Sequence, residues 1–328
     1  MSENLFKVYA NENVLNTLTS MISSGRLSQA FLLFGQTGLG KKTIARHMEA
    51  KMLCEDEGNS PCGKCKSCMM IEHNAHPDAQ WITTKDNSKA FSVDNLRKLS
   101  VDASIMPNEG SKKVYILADC DNMSPLAQNA LLKLIEEPPE HAYFIFTATS
   151  KAVFLPTIIS RVISFGVNEV SHDECRQALA DKGITDEEVI NEAIEAFGTN
   201  IGMCLSYIND DELKNAVDIA KAITDSITGS SEYNLLKGLF RLEGSKPLAK
   251  EVFSLMYSII RDSSAIRLGN NCLVGCYKTG SEKLSNLLTL RQANDIYRVF
   301  TTADTKLDQN ANLSLTLTDI CSEIKIII

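Results

Sequence analysis

A chain of 328 residues, 44% apolar and 23% charged, has room for two or three domains with full cores and the composition of an ordinary soluble protein. Its net charge of −8 argues against a protein that coats nucleic acid alone, so any DNA contact must use a local patch or be shared with partners. The start, Met-Ser-Glu-Asn-Leu-Phe-Lys, lacks the cationic segment and apolar core of a signal peptide, and no apolar run is long enough to span a membrane, so the expected compartment is the cytoplasm.

Residues Leu5 to Ser23 read as an amphipathic helix carrying Val14, Leu15, Leu18, Met21 and Ile22, which either walls an adenine pocket or simply packs. The apolar run Ala30 to Phe34 then reads as a buried strand, and Lys42 to Lys51 as a helix. Between them lies Gly35-Gln-Thr-Gly38-Leu-Gly40-Lys41, the phosphate-binding loop pattern. Its glycines let the backbone wrap closely around an anion, and Lys41 is expected to reach the terminal phosphates. One position departs from the pattern. Where a Ser or Thr should hold Mg²⁺ stands Lys42, and Thr43 comes one residue late, roughly 100° further round the helix. The loop reads as built to bind ATP or ADP and poorly equipped to hold Mg²⁺ or to hydrolyse the nucleotide.

Ten cysteines follow an uneven plan. Cys54, Cys62, Cys65 and Cys68 are spaced C-x7-C-x2-C-x2-C, and thiolates at x2 spacing converge on one ion, so a structural Zn²⁺ site is expected. Pro61, Gly63 and Lys64 suit tight knuckle turns. His73 or His76 is an alternative for one thiolate, and a disulfide framework is the weaker alternative to zinc in a reducing compartment. Cys120, Cys175, Cys204, Cys272, Cys276 and Cys321 are scattered and read as small buried apolar residues.

After His76-Pro-Asp a strand resumes through Trp81, and a helix capped by Ser92 or Asp94 follows. Val114 to Leu117 reads as a buried strand. In phosphate-loop ATPases such a strand ends in a metal-holding Asp followed by a Glu that activates water. Here it ends in Ala118, with Asp119 next and Asp121 two further on. This second loss bears on the same ion as Lys42. Ser124-Pro125 opens a helix that stops before Pro138-Pro139, and Tyr143 to Thr149 reads as another buried strand.

Together these motifs resemble the clamp-loader group of AAA+ ATPases, over residues 30–165. The resemblance rests on the phosphate loop, the four-cysteine insert, Asn129-Ala-Leu-Leu-Lys-Leu-Ile-Glu-Glu-Pro-Pro and Leu155-Pro-Thr-Ile-Ile-Ser-Arg161. It implies that Arg161 reaches a neighbouring subunit's ATP site, where a guanidinium offered in trans stabilises transferring phosphoryl charge. A surface arginine is the plain alternative, and Val162 replaces the family's usual Cys. The resemblance puts Thr149 at the first sensor position and Gly202 where motor subunits carry a lid arginine. With Lys42 and Ala118-Asp119, three catalytic positions are degraded while the arginine that serves a neighbour remains, the pattern of a non-motor subunit.

The expected architecture is therefore α/β. An AAA+ phosphate-loop parallel-sheet domain spans 1–167, with a zinc module at 54–68, then a helical lid at 168–209 and an all-α collar at 210–328. In the collar the last helix, after Asn310 or Asn312, places Leu313, Leu317, Ile320 and Ile324 on one stripe. The resemblance implies partners in a hetero-oligomer (gamma/tau-type motor subunits and a delta subunit), the sliding clamp, and primer-template DNA through the complex, with no intrinsic ATPase. Two alternatives stand beside it. One is an active gamma/tau-type motor using Asp119 and Thr43 for its metal. The other is a zinc-containing nucleic-acid binding module with a vestigial nucleotide fold, against which the acidic balance speaks.

Overall fold

The computed structural model describes residues 6–56, 58, 60–84, 89–229, 231–270 and 273–328, which leaves Leu5 and Cys272 outside the described residues. The chain divides into two compact units, Met1–Lys182 and Gly183–Ile328.

The first unit is built on a five-stranded parallel sheet in the order β2-β3-β4-β1-β5. The strands are β1 (Ala30–Phe34), β2 (Ala79–Thr83), β3 (Lys113–Ala118), β4 (Ala142–Ala148) and β5 (Ile163–Gly166). The three central strands are near-continuous apolar runs because helices cover both faces. Successive side chains alternate between those faces. Ala30, Leu32, Tyr115, Leu117, Phe144 and Phe146 enter one core. Phe31, Leu33, Val114, Ile116, Tyr143 and Ile145 enter the other.

The helices of this unit are α1 (Glu12–Ser23), α2 (Lys41–Leu53), α3 (Lys66–Glu72), α4 (Val93–Ala103), α5 (Pro125–Glu136), α6 (Pro156–Ile159) and α7 (His172–Asp181). Ser92 caps α4, Ser124 with Pro125 opens α5, and Ser171 with Glu174 forms a capping box on α7. The expected helix from Leu5 is shorter. Ala10 and Asn11 take left-handed backbone angles, so α1 starts at Glu12 and Val14 and Leu18 alone are fully buried on it. Upstream, Phe6 packs with Ala50, Cys68 and Ile71, and its carbonyl lies 2.7 Å from His47 Nδ1.

The second unit is helical: α8 (Glu187–Phe197), α9 (Ile201–Asn209), α10 (Asp211–Thr228), α11 (Glu232–Phe240), α12 (Lys246–Arg267), α13 (Lys278–Leu287), α14 (Leu290–Asp308) and α15 (Leu313–Ile327). Helix α12 packs against α10, α13 and α14, burying Val252, Phe253, Met256, Ile259 and Ile260. Asn312 caps α15, whose Leu317, Ile320 and Ile324 are buried while Leu313 is half-buried. The stretch expected as a lid, 168–209, falls in both units: α7 belongs to the first, and α8 and α9 to the second. Asp210 follows α9 directly and caps α10, so no linker separates these two helices.

Candidate functional site

The carboxyl ends of β1, β3 and β4 lie side by side, because Phe34 pairs with Ala148 and Leu117 with Phe146. Ligands of open parallel sheets bind at this edge. The loop leaves β1 at Gly35, whose φ of 152° and tight setting require glycine: a Cβ there would stand 2.6 Å from the Val167 carbonyl oxygen. Gly38 and Gly40 also take positive φ, and Gly40, at 85°, is the residue from which α2 starts. Helix α2 thus aims its unbonded amides into the loop, as an anion site demands.

The loop's cations already have partners. Lys41 is buried, and its ammonium donates to the Gly35 and Gln36 carbonyls at 2.6 and 2.7 Å, closing on its own loop instead of extending along it. Burial lowers its pKa, with the charges of Asp121 and Asp119 opposing. Lys42 Nζ donates to Asp119 Oδ2 at 2.5 Å. Thr43 is exposed. Asp119 directly follows β3 in a left-handed turn, φ 60°, and its N–H donates to the buried Thr147 Oγ1 at 2.9 Å. Thr149, just past β4, donates from its N–H and Oγ1 to Asp121 Oδ1 at 2.8 and 2.5 Å.

Asp119 therefore stands one residue past the strand end where a metal-holding acid would, and an ammonium occupies its Oδ2. Magnesium needs near-octahedral oxygen ligands about 2.0–2.1 Å away, and this donor set does not fit it. The sequence reading missed the Lys42–Asp119 contact, whose partners lie 77 residues apart, and the role of Asp121. An acid just beyond the end of a buried strand was the available signal for both.

At the other end of α2, Cys54 ends that helix and Cys65 caps α3. The sulfurs of Cys54, Cys62, Cys65 and Cys68 all lie within 4.8 Å of one another, with Cys54 and Cys65 3.9 Å apart. A tetrahedral ion bound at about 2.3 Å sets its sulfurs roughly 3.8 Å apart, so the set fits zinc. Backbone N–H groups at Cys62, Lys64, Cys65 and Cys68 point at Cys54, Cys62, Cys62 and Cys65 sulfurs at 3.3–3.4 Å. Those of Lys64 and Cys65 pull the Cys62 thiol down to about 7, while burial pushes Cys54 and Cys68 up. No histidine belongs to the cluster among the described residues. His73 is exposed, and His76 is buried in a structural role. Its Nδ1 accepts the Asp78 N–H at 3.1 Å and its Nε2 lies 3.3 Å from Ser67 Oγ. Cys120, Cys175, Cys204, Cys276 and Cys321 are buried, as expected.

Between these two ends, Glu49 of α2 is 2% exposed, accepts the Trp81 indole N–H at 3.0 Å, and lies 3.7 Å from Arg46. Burial raises its pKa to about 7 against those two favourable partners. Arg46 in turn donates to the Ile71 carbonyl and Asn74 Oδ1 and stacks over Trp81, tying α2 to the end of α3.

Arg161 lies on the turn after α6, 40% exposed. Its Nη1 donates to the Thr157 carbonyl at 2.9 Å and Ser160 Oγ at 3.1 Å, and its Nη2 lies 3.0 Å from Glu136 Oε1 at the end of α5. Val162 behind it is buried.

Comparison with known proteins places this architecture. Residues 10–171 match the family described as DNA polymerase III, delta subunit. DNA polymerase III subunit tau of Escherichia coli is 30% identical over 226 residues, covering 69% of this chain and 33% of the relative. Subunit gamma/tau of Mycobacterium tuberculosis is 35% identical over 156 residues, 47% of this chain and 27% of that one. Subunit delta′ of Haemophilus influenzae is 26% identical over 189 residues, 58% of this chain and 57% of that one. The chain thus spans about a third or less of the tau and gamma/tau relatives it matches. Among the described residues, no helix is long and apolar enough to cross a membrane. With its phosphate loop after the fourth-placed strand of a 2-3-4-1-5 sheet, and its sequence matching over residues 10–171, this unit belongs to the family of DNA polymerase III clamp-loader subunits.

Proposed function

We infer that this chain is a non-motor, delta-prime-like subunit of a bacterial clamp loader. It joins gamma/tau and delta subunits in a cytoplasmic hetero-oligomer and presents Arg161 to an adjacent ATP site. In that assembly it helps open the sliding clamp for loading at primer-template DNA. The observation that carries this reading is the Lys42–Asp119 pair at the mouth of the cleft, which sets an ammonium on the acid nearest the phosphate loop. Arg161, 40% exposed and paired with Glu136 on the outside of α5, is the cation open to a neighbour. Zinc held by Cys54, Cys62, Cys65 and Cys68 has a structural role, since all four ligands come from the protein and leave no open position. The helices from α10 onward serve as the collar that joins neighbouring subunits, and residues 1–167 and 168–209 act as nucleotide-fold and lid segments.

A second reading, an active gamma/tau-type motor, draws on the higher identity to tau. It requires Asp119 and Thr43 to hold the metal, and the partner of Asp119 and the exposure of Thr43 count against it. The test is ATP turnover. The purified chain alone should show none, and Arg161→Ala should slow a reconstituted assembly. Robust Mg²⁺-dependent turnover by the isolated chain would move the assignment to the motor.

A further inference from the structure

The misfit to magnesium is specific in its geometry. The left-handed turn at Asp119, anchored by Thr147 Oγ1, aims the carboxylate at the first turn of α2, where it meets Lys42. Both side chains are partly open, 41% and 37% exposed, so the pair lies at the mouth of the cleft instead of being sealed within it. An ammonium carries three N–H donors, and Asp119 engages one of them. The remaining donors, the Lys41 ammonium and the glycine loop around the start of α2 form one donor-rich rim, in which Asp119 and Asp121 balance the two lysines.

We propose that Lys42, held on Asp119, is a built-in substitute for the divalent cation, and that this cleft binds a nucleoside polyphosphate in its metal-free form. Lys42 supplies hydrogen-bonded positive charge to the outer phosphate oxygens, and Lys41 exchanges the Gly35 and Gln36 carbonyls for phosphate. An ammonium fixed by its carboxylate partner offers the bound phosphates N–H donors without the stronger polarisation that a divalent ion brings to phosphoryl transfer. The cleft is thereby a holding site. This deepens the reading of the cleft given above, and it stands whether or not Arg161 acts on a neighbour.

The experiment is equilibrium titration of the full chain with ADP and with a non-hydrolysable ATP analogue, each in excess MgCl₂ and in excess EDTA. The wild type should bind at least as tightly in EDTA as in MgCl₂. Lys42→Thr, which restores a hydroxyl and frees Asp119, should bind about tenfold more tightly with Mg²⁺ than in EDTA. Lys42→Met, of similar length and without charge, should lose affinity about tenfold in both conditions. A thermal melt confirms that each variant is folded, and if either is not, the wild-type comparison decides alone. Wild-type binding that is tenfold tighter with Mg²⁺ overturns the proposal, and so does failure to bind either nucleotide, which would leave the ion pair as a staple of the loop. An Arg161 variant without effect on an assembly would sink the proposed function and leave this titration unchanged.

Discussion

Helix α2 carries a candidate ion site at each end, and the two differ in a way that teaches what makes a metal site. At its amino end, a phosphate loop of the right shape is lined by a lysine and an aspartate that satisfy each other. At its carboxyl end, four sulfurs converge with backbone amides already pointing at them. Backbone geometry alone favours an ion at both ends. Side-chain chemistry separates them: carboxylate beside ammonium leaves nothing for a divalent ion, whereas four unpaired thiols are costly to leave together without one.

The contrast can be broken most severely at the sulfur end. Cys65→Ser should abolish zinc, measured by elemental analysis, and destabilise the first unit by about 3 kcal/mol or more, lowering its Tm by roughly 10 °C. Full stability with no bound metal would make the cluster a coincidence of turns. Trp81, the chain's sole tryptophan, lies between α2 and the strand edge and gives a fluorescence signal for that unit.

The middle of α2 offers a pH test of comparable size. Glu49 titrates near 7 in the folded protein and near 4.5 when unfolded, so its folded value is raised. Stability from its neutral form is fully present below pH 4.5 and is lost as the pH rises through 7. Glu49→Gln removes that dependence and keeps an oxygen for the Trp81 N–H. Relative to wild type it should gain about 3 kcal/mol between pH 4 and pH 8, read from denaturant unfolding. A pH-independent difference would show that Arg46 holds Glu49 ionised throughout.

At the loop end, Gly35→Ala meets the Val167 carbonyl and an unfavourable φ, and should destabilise by about 2 kcal/mol while weakening any nucleotide binding. Lys66→Ala, which removes the exposed ion pair to Glu109 beside the zinc module, should change stability by less than about 0.5 kcal/mol. A larger loss would mean that the module's surface charges matter as much as its sulfurs.

Much of this was legible in the sequence because it is local. The strand from Ala30, the glycines at 35, 38 and 40, the x2 cysteine spacing and the Ser124-Pro125 cap each announce themselves within a few residues, and each forms as expected. The cause of the cleft's misfit was only half legible. Lys42 and Asp119 were visible as wrong residues, but that they bind each other depends on β3 lying within reach of α2, a fact of the sheet. The Arg161–Glu136 pair is of the same kind, since the turn after α6 must return to the end of α5. The burial of Glu49 gave no sequence signal, because a single acid in a mixed helix reads as solvent-facing. The shortened α1 reflects Ala10 and Asn11 in left-handed angles, with Phe6 drawn off to the zinc module's small core.

The central claim is that this chain keeps its catalytic cation for another subunit's phosphates. Its most direct measurement is single-turnover ATP hydrolysis in a reconstituted assembly containing either the wild-type chain or Arg161→Ala. The account predicts that hydrolysis at the adjoining site slows by about 10³-fold while the isolated chain hydrolyses nothing. Equal rates from the two assemblies would contradict it.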